Sequence, residues 1–203
     1  MSRLIALISL VVLLITPGIA SANLVVNPGF EDTGEQGHMT GWTVDWNPGN
    51  IYGAQDNPHS GSWHAQNSWD GGMYQNVAIT PGIDYRLTGY AYIPTGVGGS
   101  PWGTYIGLRF LNASGGTVGN YQIDMQSLPR DQYNMADTGW VTAPGTAATA
   151  RVRFGTWASD PWEPVNPTDF DDFDLSPIPE PASLVLLGSG LVGLVAFTRK
   201  RRI

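Results

Sequence analysis

The chain has 203 residues, with 17 acidic and 10 basic side chains, a formal charge of −7 and no cysteine. This length accommodates one ordinary domain with a real core plus terminal extensions. The lack of cysteine excludes a disulfide framework and thiol chemistry, and the acidic balance makes nucleic acid a poor partner.

At the N-terminus, Arg3 precedes the apolar run Leu4–Ile15, then Thr16-Pro17-Gly18 and Ala20-Ser21-Ala22. A basic start, an apolar stretch and a small-x-small site make a signal peptide. Residues 1–22 are therefore expected to translocate the chain and to be removed by signal peptidase after Ala22. The domain to be explained is residues 23–177. It holds sixteen of the acidic and five of the basic side chains, a net of −11, and all eight tryptophans. Such a surface suits a soluble exported domain or one that binds cations.

The 26 glycines and 15 prolines, with no long run of helical period, point to β structure. The expected strands are Leu24–Val26, Trp42–Val44, Ser62–Asn67, Met73–Ile79, Tyr85–Ile93, Tyr105–Leu111, Trp140–Ala143, Thr149–Trp157 and Phe170–Leu175. Three of them alternate with period two. Tyr85, Leu87, Gly89, Ala91 and Ile93 oppose Arg86, Thr88, Tyr90 and Tyr92. Ile106, Leu108 and Phe110 oppose Tyr105, Gly107, Arg109 and Leu111, and Ala150, Val152 and Phe154 oppose Arg151, Arg153 and Trp157. One apolar face per strand is the mark of sheets packed on one side, so the fold class is an all-β antiparallel sandwich or jelly roll. Pro81-Gly82 reads as a type II turn before the Tyr85 strand. Phe30 and Trp42 read as core.

The order of motifs in this domain is recognisable: Asn23-Leu24-Val25-Val26-Asn27-Pro28-Gly29-Phe30-Glu31, Gly41-Trp42, Pro58-His59-Ser60-Gly61-Ser62, Tyr74-Gln75-Asn76-Val77, Pro81-Gly82-Ile83-Asp84-Tyr85, Trp140 with Ala143-Pro144, and Asp171-Asp172-Phe173-Asp174-Leu175. It resembles the galactose-binding-like jelly roll of carbohydrate-binding modules that accompany cellulases and xylanases. The resemblance implies a packing role for Trp140 and a glycan ligand, with extracellular polysaccharide as the partner. A sugar presents an apolar C–H face and a rim of hydroxyls, met by aromatic platforms and polar side chains. Tyr90 and Tyr92 share a face on one strand, Tyr105 and Arg109 on a second, Arg153 and Trp157 on a third. If these strands neighbour one another they form one groove, with Trp69, Trp46, Trp102 and Trp162 in loops at its rim.

The closing strand carries an anomaly. If Phe173 and Leu175 point inward, so does Asp171, and a buried carboxylate needs a partner. No basic residue is near it in sequence. A hard cation meets the need, and the resemblance implies a structural calcium. Carried over, its ligands are Glu31 and Asp171 by side chain, with Asp56 and the backbone of Gly29 and Ser60 as companions. Asp169, Asp172 and Asp174 read as surface charges, and His59 as structural. Catalytic signatures are lacking. There is no His-Glu-x-x-His and no Gly-x-Ser-x-Gly, and His38, His59 and His64 lack metal-hydrolase spacing.

The tail reads Pro179-Glu180-Pro181, an uncharged apolar stretch over 182–197, then Arg199-Lys200-Arg201-Arg202. The stretch is somewhat shorter than the about 20 residues of a typical spanning helix, and the basic cluster is expected to stay cytoplasmic. Residues 178–203 resemble the PEP-CTERM sorting signal of bacterial exported proteins. That resemblance implies a Gram-negative host and an inner-membrane-anchored precursor. It also implies processing by an exosortase-type enzyme and a final place at the cell surface or in the extracellular matrix. The sequence as a whole reads as a non-enzymatic, calcium-stabilised carbohydrate-binding protein. The alternatives are a structural matrix or adhesion protein of the same fold and a glycoside hydrolase with an unrecognised acid pair.

Overall fold

In the computed structural model the described residues are 22–33, 39–95, 103–157 and 167–178. Residues 1–21 of the expected signal peptide, the Pro179-Glu180-Pro181 motif and the apolar stretch lie outside them, as do Trp102, Trp162 and His38. Eleven strands and one 3-10 turn, Pro48–Asn50, form the regular structure of the described residues. The strands are β1 (Thr43–Trp46), β2 (Ile51–Ala54), β3 (His64–Asn67), β4 (Gly71–Ala78), β5 (Asp84–Tyr92), β6 (Gly103–Asn112), β7 (Thr117–Asp124), β8 (Tyr133–Asp137), β9 (Val141–Thr142), β10 (Ala147–Trp157) and β11 (Thr168–Pro177).

They make two sheets. One is five-stranded in the order β1-β4-β10-β6-β7; the other is six-stranded, in the order β2-β3-β11-β5-β8 with β9 also paired to β5. All the ladders are antiparallel. The alternation expected for β5, β6 and β10 places Leu87, Ala91, Ile106, Leu108, Phe110, Ala150, Val152 and Phe154 in the core. Arg86, Thr88, Tyr90, Tyr92, Arg109, Arg151 and Arg153 are only partly buried on the opposite faces.

An aromatic cluster joins the sheets. Phe154 of β10 lies 4.6 Å from Phe170 and 5.1 Å from Phe173, both on β11. Phe30 and Trp42, 5.2 Å apart, fill the same space from the segments before β1. Phe30 is held there by an Asn27-centred turn. The Asn27 amide donates to Asp32 O at 2.9 Å while its oxygen accepts from Asp32 N at 3.0 Å. The indole of Trp42 donates to Asn27 O at 3.1 Å.

Three features depart from the sequence expectations. Leu24–Val26 is not a strand. The side chain of Gln75 replaces a strand neighbour, accepting from Val26 N at 2.7 Å and donating to Val26 O at 2.9 Å. Strands β2, β7 and β8 were not expected. All three are edge strands, where fewer residues face the core and the alternation is diluted by polar side chains. Trp140 is 46% exposed and does not pack in the core; it precedes β9, a two-residue strand on the flank of β5. The Pro81-Gly82 turn has Gly82 at φ 77, as a type II turn requires.

Phe154→Ala is expected to cost about 3–5 kcal/mol, because it removes the ring that touches Phe30, Trp42, Phe170 and Phe173. Denaturant titration should show a lower midpoint with an unchanged slope.

Candidate functional site

The outer face of the five-stranded sheet is laid out by its register. Moving along β10, Trp157 pairs with Gly103, Gly155 lies between Gly72 and Tyr105, Arg153 between Tyr74 and Gly107, and Arg151 between Asn76 and Arg109. On the far side of β6, Tyr105 pairs with Asp124 and Arg109 with Asn120. Glycines at this end leave room for large rings to lie flat. A Cβ on Gly72 would come within 2.2 Å of the Trp46 ring, and one on Gly103 within 2.0 Å of the Trp157 indole. Trp46 thereby runs nearly parallel to Tyr105, at 6.3 Å and 10°, and Trp157 leans on Tyr105 at 5.0 Å. The indole N–H of Trp46 donates to Asp70 at 2.9 Å, which fixes the ring. Trp157 is 43% exposed.

Next to the rings stand guanidinium groups. Arg153 lies 4.8 Å over the Tyr105 ring and donates to the Tyr105 hydroxyl at 2.7 Å and to Asp45 at 3.4 Å. Burial outweighs that positive neighbour and pushes the Tyr105 hydroxyl up to about 12, so it stays neutral. Arg151 sits 4.0 Å over the Tyr74 ring and donates to Asn76 at 2.9 Å. Arg109 donates to Asn120 at 3.1 Å. The face thus combines an aromatic bed with a row of hydrogen-bond donors.

The opposite face, on the six-stranded sheet, is different in kind. A bulge in β11 adds one residue between the Asp171–Tyr90 and Asp174–Thr88 pairs, with Asp172 at φ 49. The bulge corrects the expected register. Phe170, Phe173 and Leu175 all point inward, yet Asp171 shares the outer side with its partner Tyr90. Asp171 is nevertheless fully buried, because the 57–60 loop covers it. Its carboxylate accepts from His59 N at 2.8 Å, Ser60 N at 3.2 Å and Asp172 N at 2.8 Å. Among the described residues no basic side chain pairs with it, and burial raises its carboxyl to about 6. His59 stacks on Tyr90 at 3.8 Å and its ring Nδ1 meets Asp172 at 2.6 Å.

The predicted ligand residues therefore separate. Tyr105, Arg109, Arg153 and Trp157 share one face. Tyr90 and Tyr92 lie on the other sheet, where Tyr90 is covered by His59 and Tyr92 packs 5.5 Å from Tyr133. They cannot form one groove with the first four, because β5 and β6, though near in sequence, belong to different layers. Trp69 sits in the short turn between β3 and β4, half-buried. Sequence reading placed Trp46 at a rim; it is part of the central bed. It also passed over Tyr74, Asn76, Asn120 and Arg151. Of these, Arg151 was legible as two residues from Arg153 on the same face.

The predicted metal set separates too. Gly29, Ser60 and Asp171 meet: a Cβ on Gly29 would lie 3.5 Å from Asp171 Oδ1 and 3.2 Å from Asp172 Oδ1. Carboxylate oxygens thus border Gly29, those of Asp171 held by backbone N–H groups and those of Asp172 by the His59 ring and the Ser60 hydroxyl. Glu31 lies along the same loop, accepting from Ser62 N at 2.7 Å and Trp63 N at 3.0 Å. Asp56 goes elsewhere, facing Gln66 and the buried His64 at 3.3–3.4 Å. Asp169, expected on the surface, is buried, held by Asn57 at 3.0 Å and Gln66 at 3.1 Å. Among the described residues no three His, Asp or Glu side chains are gathered as a metal cluster, so any cation here would draw on backbone carbonyls.

The PEP-CTERM protein-sorting motif matches residues 177–202. It marks an exported protein that is anchored in the membrane before processing. No curated protein matches the chain. Solved structures similar to it include the enzymatically active domain of tailspike protein 4 of Bacteriophage CBA120 (18% identity, TM-score 0.57). They also include TmCBM61 in complex with beta-1,4-galactotriose (17%, 0.54) and the CBM22-1 xylan-binding domain of Paenibacillus barcinonensis Xyn10C (12%, 0.51). The matches cover 77%, 77% and 79% of this chain, and 21%, 99% and 97% of the others. It thus spans about a fifth of the tailspike chain and nearly all of each module. At these identities the likeness establishes fold: an antiparallel jelly-roll sandwich of the carbohydrate-binding-module type.

A raised carboxyl has a pH signature. In chelator, Asp171 should contribute full stability below the ordinary carboxyl value of 3.8 and lose it as pH rises through about 6, because the folded state holds the proton more tightly. Denaturation midpoints measured across that range should fall with pH in the native chain, and the Asp171→Asn variant should lack this component.

Proposed function

We propose that this is an exported, non-enzymatic carbohydrate-binding protein of the cell surface or extracellular matrix, processed by an exosortase-type system. The observation that carries the reading is the Trp46–Tyr105–Trp157 bed, seated on glycines and bordered by Arg153. Tyr105 itself is buried, so the surface on offer is that of the half-buried Trp46 and the exposed Trp157, and exposed rings of this kind need a purpose. A flat ring offers a sugar its C–H contact while the neighbouring donors meet hydroxyls. Support also comes from the modules that share the fold, two of which are named for their galactotriose and xylan ligands.

A binding role is favoured over hydrolysis by the state of the carboxylates on this face among the described residues. Asp45 faces Arg153, Asp70 is tied to Trp46 and Asn47, and Asp124 accepts from Gln126 N. None of these is left as a free acid and base flanking the aromatic bed. Calcium at Gly29, Ser60 and Asp171, with Glu31 alongside, would neutralise the buried carboxylate and fasten the 57–60 loop to β11.

The test is a glycan array on the full chain in detergent. Trp46→Ala and Trp157→Ala should each abolish retention without unfolding, whereas Tyr92→Ala, on the other sheet, should leave it unchanged. Retention untouched by the tryptophan changes would overturn this face as the sugar site, and no retention at all would move the protein to a structural matrix or adhesion role. Polysaccharide turnover would make it a hydrolase. For the cation, chelator should lower the melting temperature of the native chain and have no such effect on Asp171→Asn.

A further inference from the structure

The domain has only five basic side chains against sixteen acidic ones. Three of the five, Arg109, Arg151 and Arg153, stand together on the aromatic face. Arg151 and Arg109 are direct cross-strand partners, an arrangement in which like charges repel. In so acidic a chain, carboxylates to neutralise them would be easy to supply. Instead the pair is flanked by neutral amides, in the row Asn76–Arg151–Arg109–Asn120. Each Asn accepts from its neighbour's Nε, at 2.9 Å for Asn76 and 3.1 Å for Asn120. This orients the two guanidinium groups without occupying their forked ends. Neither meets a carboxylate among the described residues. Arg153 has its Nε buried without a partner and reaches one carboxylate, Asp45, at 3.4 Å. Among the described residues Asp124 and Asp70 are the other acids of the face, and they are engaged by Gln126 N and by Trp46 and Asn47. Burial and then the Arg153 charge pull the Arg109 guanidinium below its ordinary range.

We infer that the Asn76–Arg151–Arg109–Asn120 row binds anionic groups, so that the glycan taken by this face is an acidic polysaccharide whose rings carry carboxylates. This rests on the carbohydrate reading above and specifies its ligand class. The geometry suits a chain rather than a single sugar. Trp157 and Arg151 are separated by six residues of β10, roughly 20 Å at the rise of a strand. One ring can therefore lie against Trp46 and Trp157, which are backed by the buried Tyr105, while a carboxylate further along meets the forked ends of Arg151 and Arg109. Guanidinium binds carboxylate in this two-pronged way more strongly than it binds a neutral hydroxyl. The face is also segregated from the acidic one. Asp56, Asp169, Asp171, Asp172 and Asp174 belong to the other sheet or its covering loop, so they do not oppose an anionic chain at close range.

The experiment is titration calorimetry of the full chain in detergent. The probes are mannuronate and galacturonate oligosaccharides, the same oligosaccharides after carboxyl reduction, and neutral xylo- and galacto-oligosaccharides. At least one uronate series should bind about tenfold or more tighter than its reduced form, and more weakly as salt rises. The Arg109→Gln/Arg151→Gln variant should lose that preference while its melting temperature holds or rises, because a repulsive pair has been relieved. Equal binding of native and reduced oligosaccharides, binding of neutral ones alone, or a preference that survives the double variant would overturn the inference and leave the carbohydrate reading standing. A response to none of the sugars would overturn both.

Discussion

The two sheets are held in register by the ring cluster of Phe30, Trp42, Phe154, Phe170 and Phe173, and the rest of the molecule is arranged around that clamp. Phe154 and Phe173 come from the central strands of opposite sheets, 5.1 Å apart. With them fixed, every second residue of β10 and β11 must face outward. The bulge at Asp172 is the adjustment that lets Phe170 and Phe173 both reach the core although two residues separate them. Its consequence is chemical, because Asp171 is moved out of the apolar interior to a polar niche beneath the 57–60 loop.

The same clamp gives the two outer faces different characters. On the five-stranded sheet, β4, β6 and β10 present glycines at one end and long polar side chains at the other. The glycine end has room for indole rings to lie against the backbone, and the other end supports arginines propped by amides. On the six-stranded sheet the outer face is closed by its own loop. His59 stacks on Tyr90, the Tyr133 hydroxyl donates to Asn57 O at 2.5 Å, and Asn57 holds Asp169 at 3.0 Å. Tyr90 is covered there, so its presence in a strand pattern does not make it a binding surface. One face thus carries loop-covered carboxylates, and the other carries the indole rings and the arginines.

Much of the fold was legible because period-two alternation is a local property. For β5, β6 and β10 the sequence by itself determined which side chains enter the core. The turn and ring motifs from Asn27 to Trp42 placed the core aromatics, and the C-terminal segment, read from its motif, apolar stretch and basic end, announced export and sorting. The edge strands β2, β7 and β8 were not legible, since an edge strand needs fewer apolar residues and its partner supplies the hydrogen bonds. Tertiary structure alone decided which outward faces lie together. Tyr92 and Tyr105 are close in sequence and alike in chemistry, yet they stand on opposite layers. Arg109 and Arg151 are far apart in sequence and directly paired. Strand pairing is a non-local choice, made by the packing of the whole core, and a strand's own residues specify only its two faces, not its neighbours.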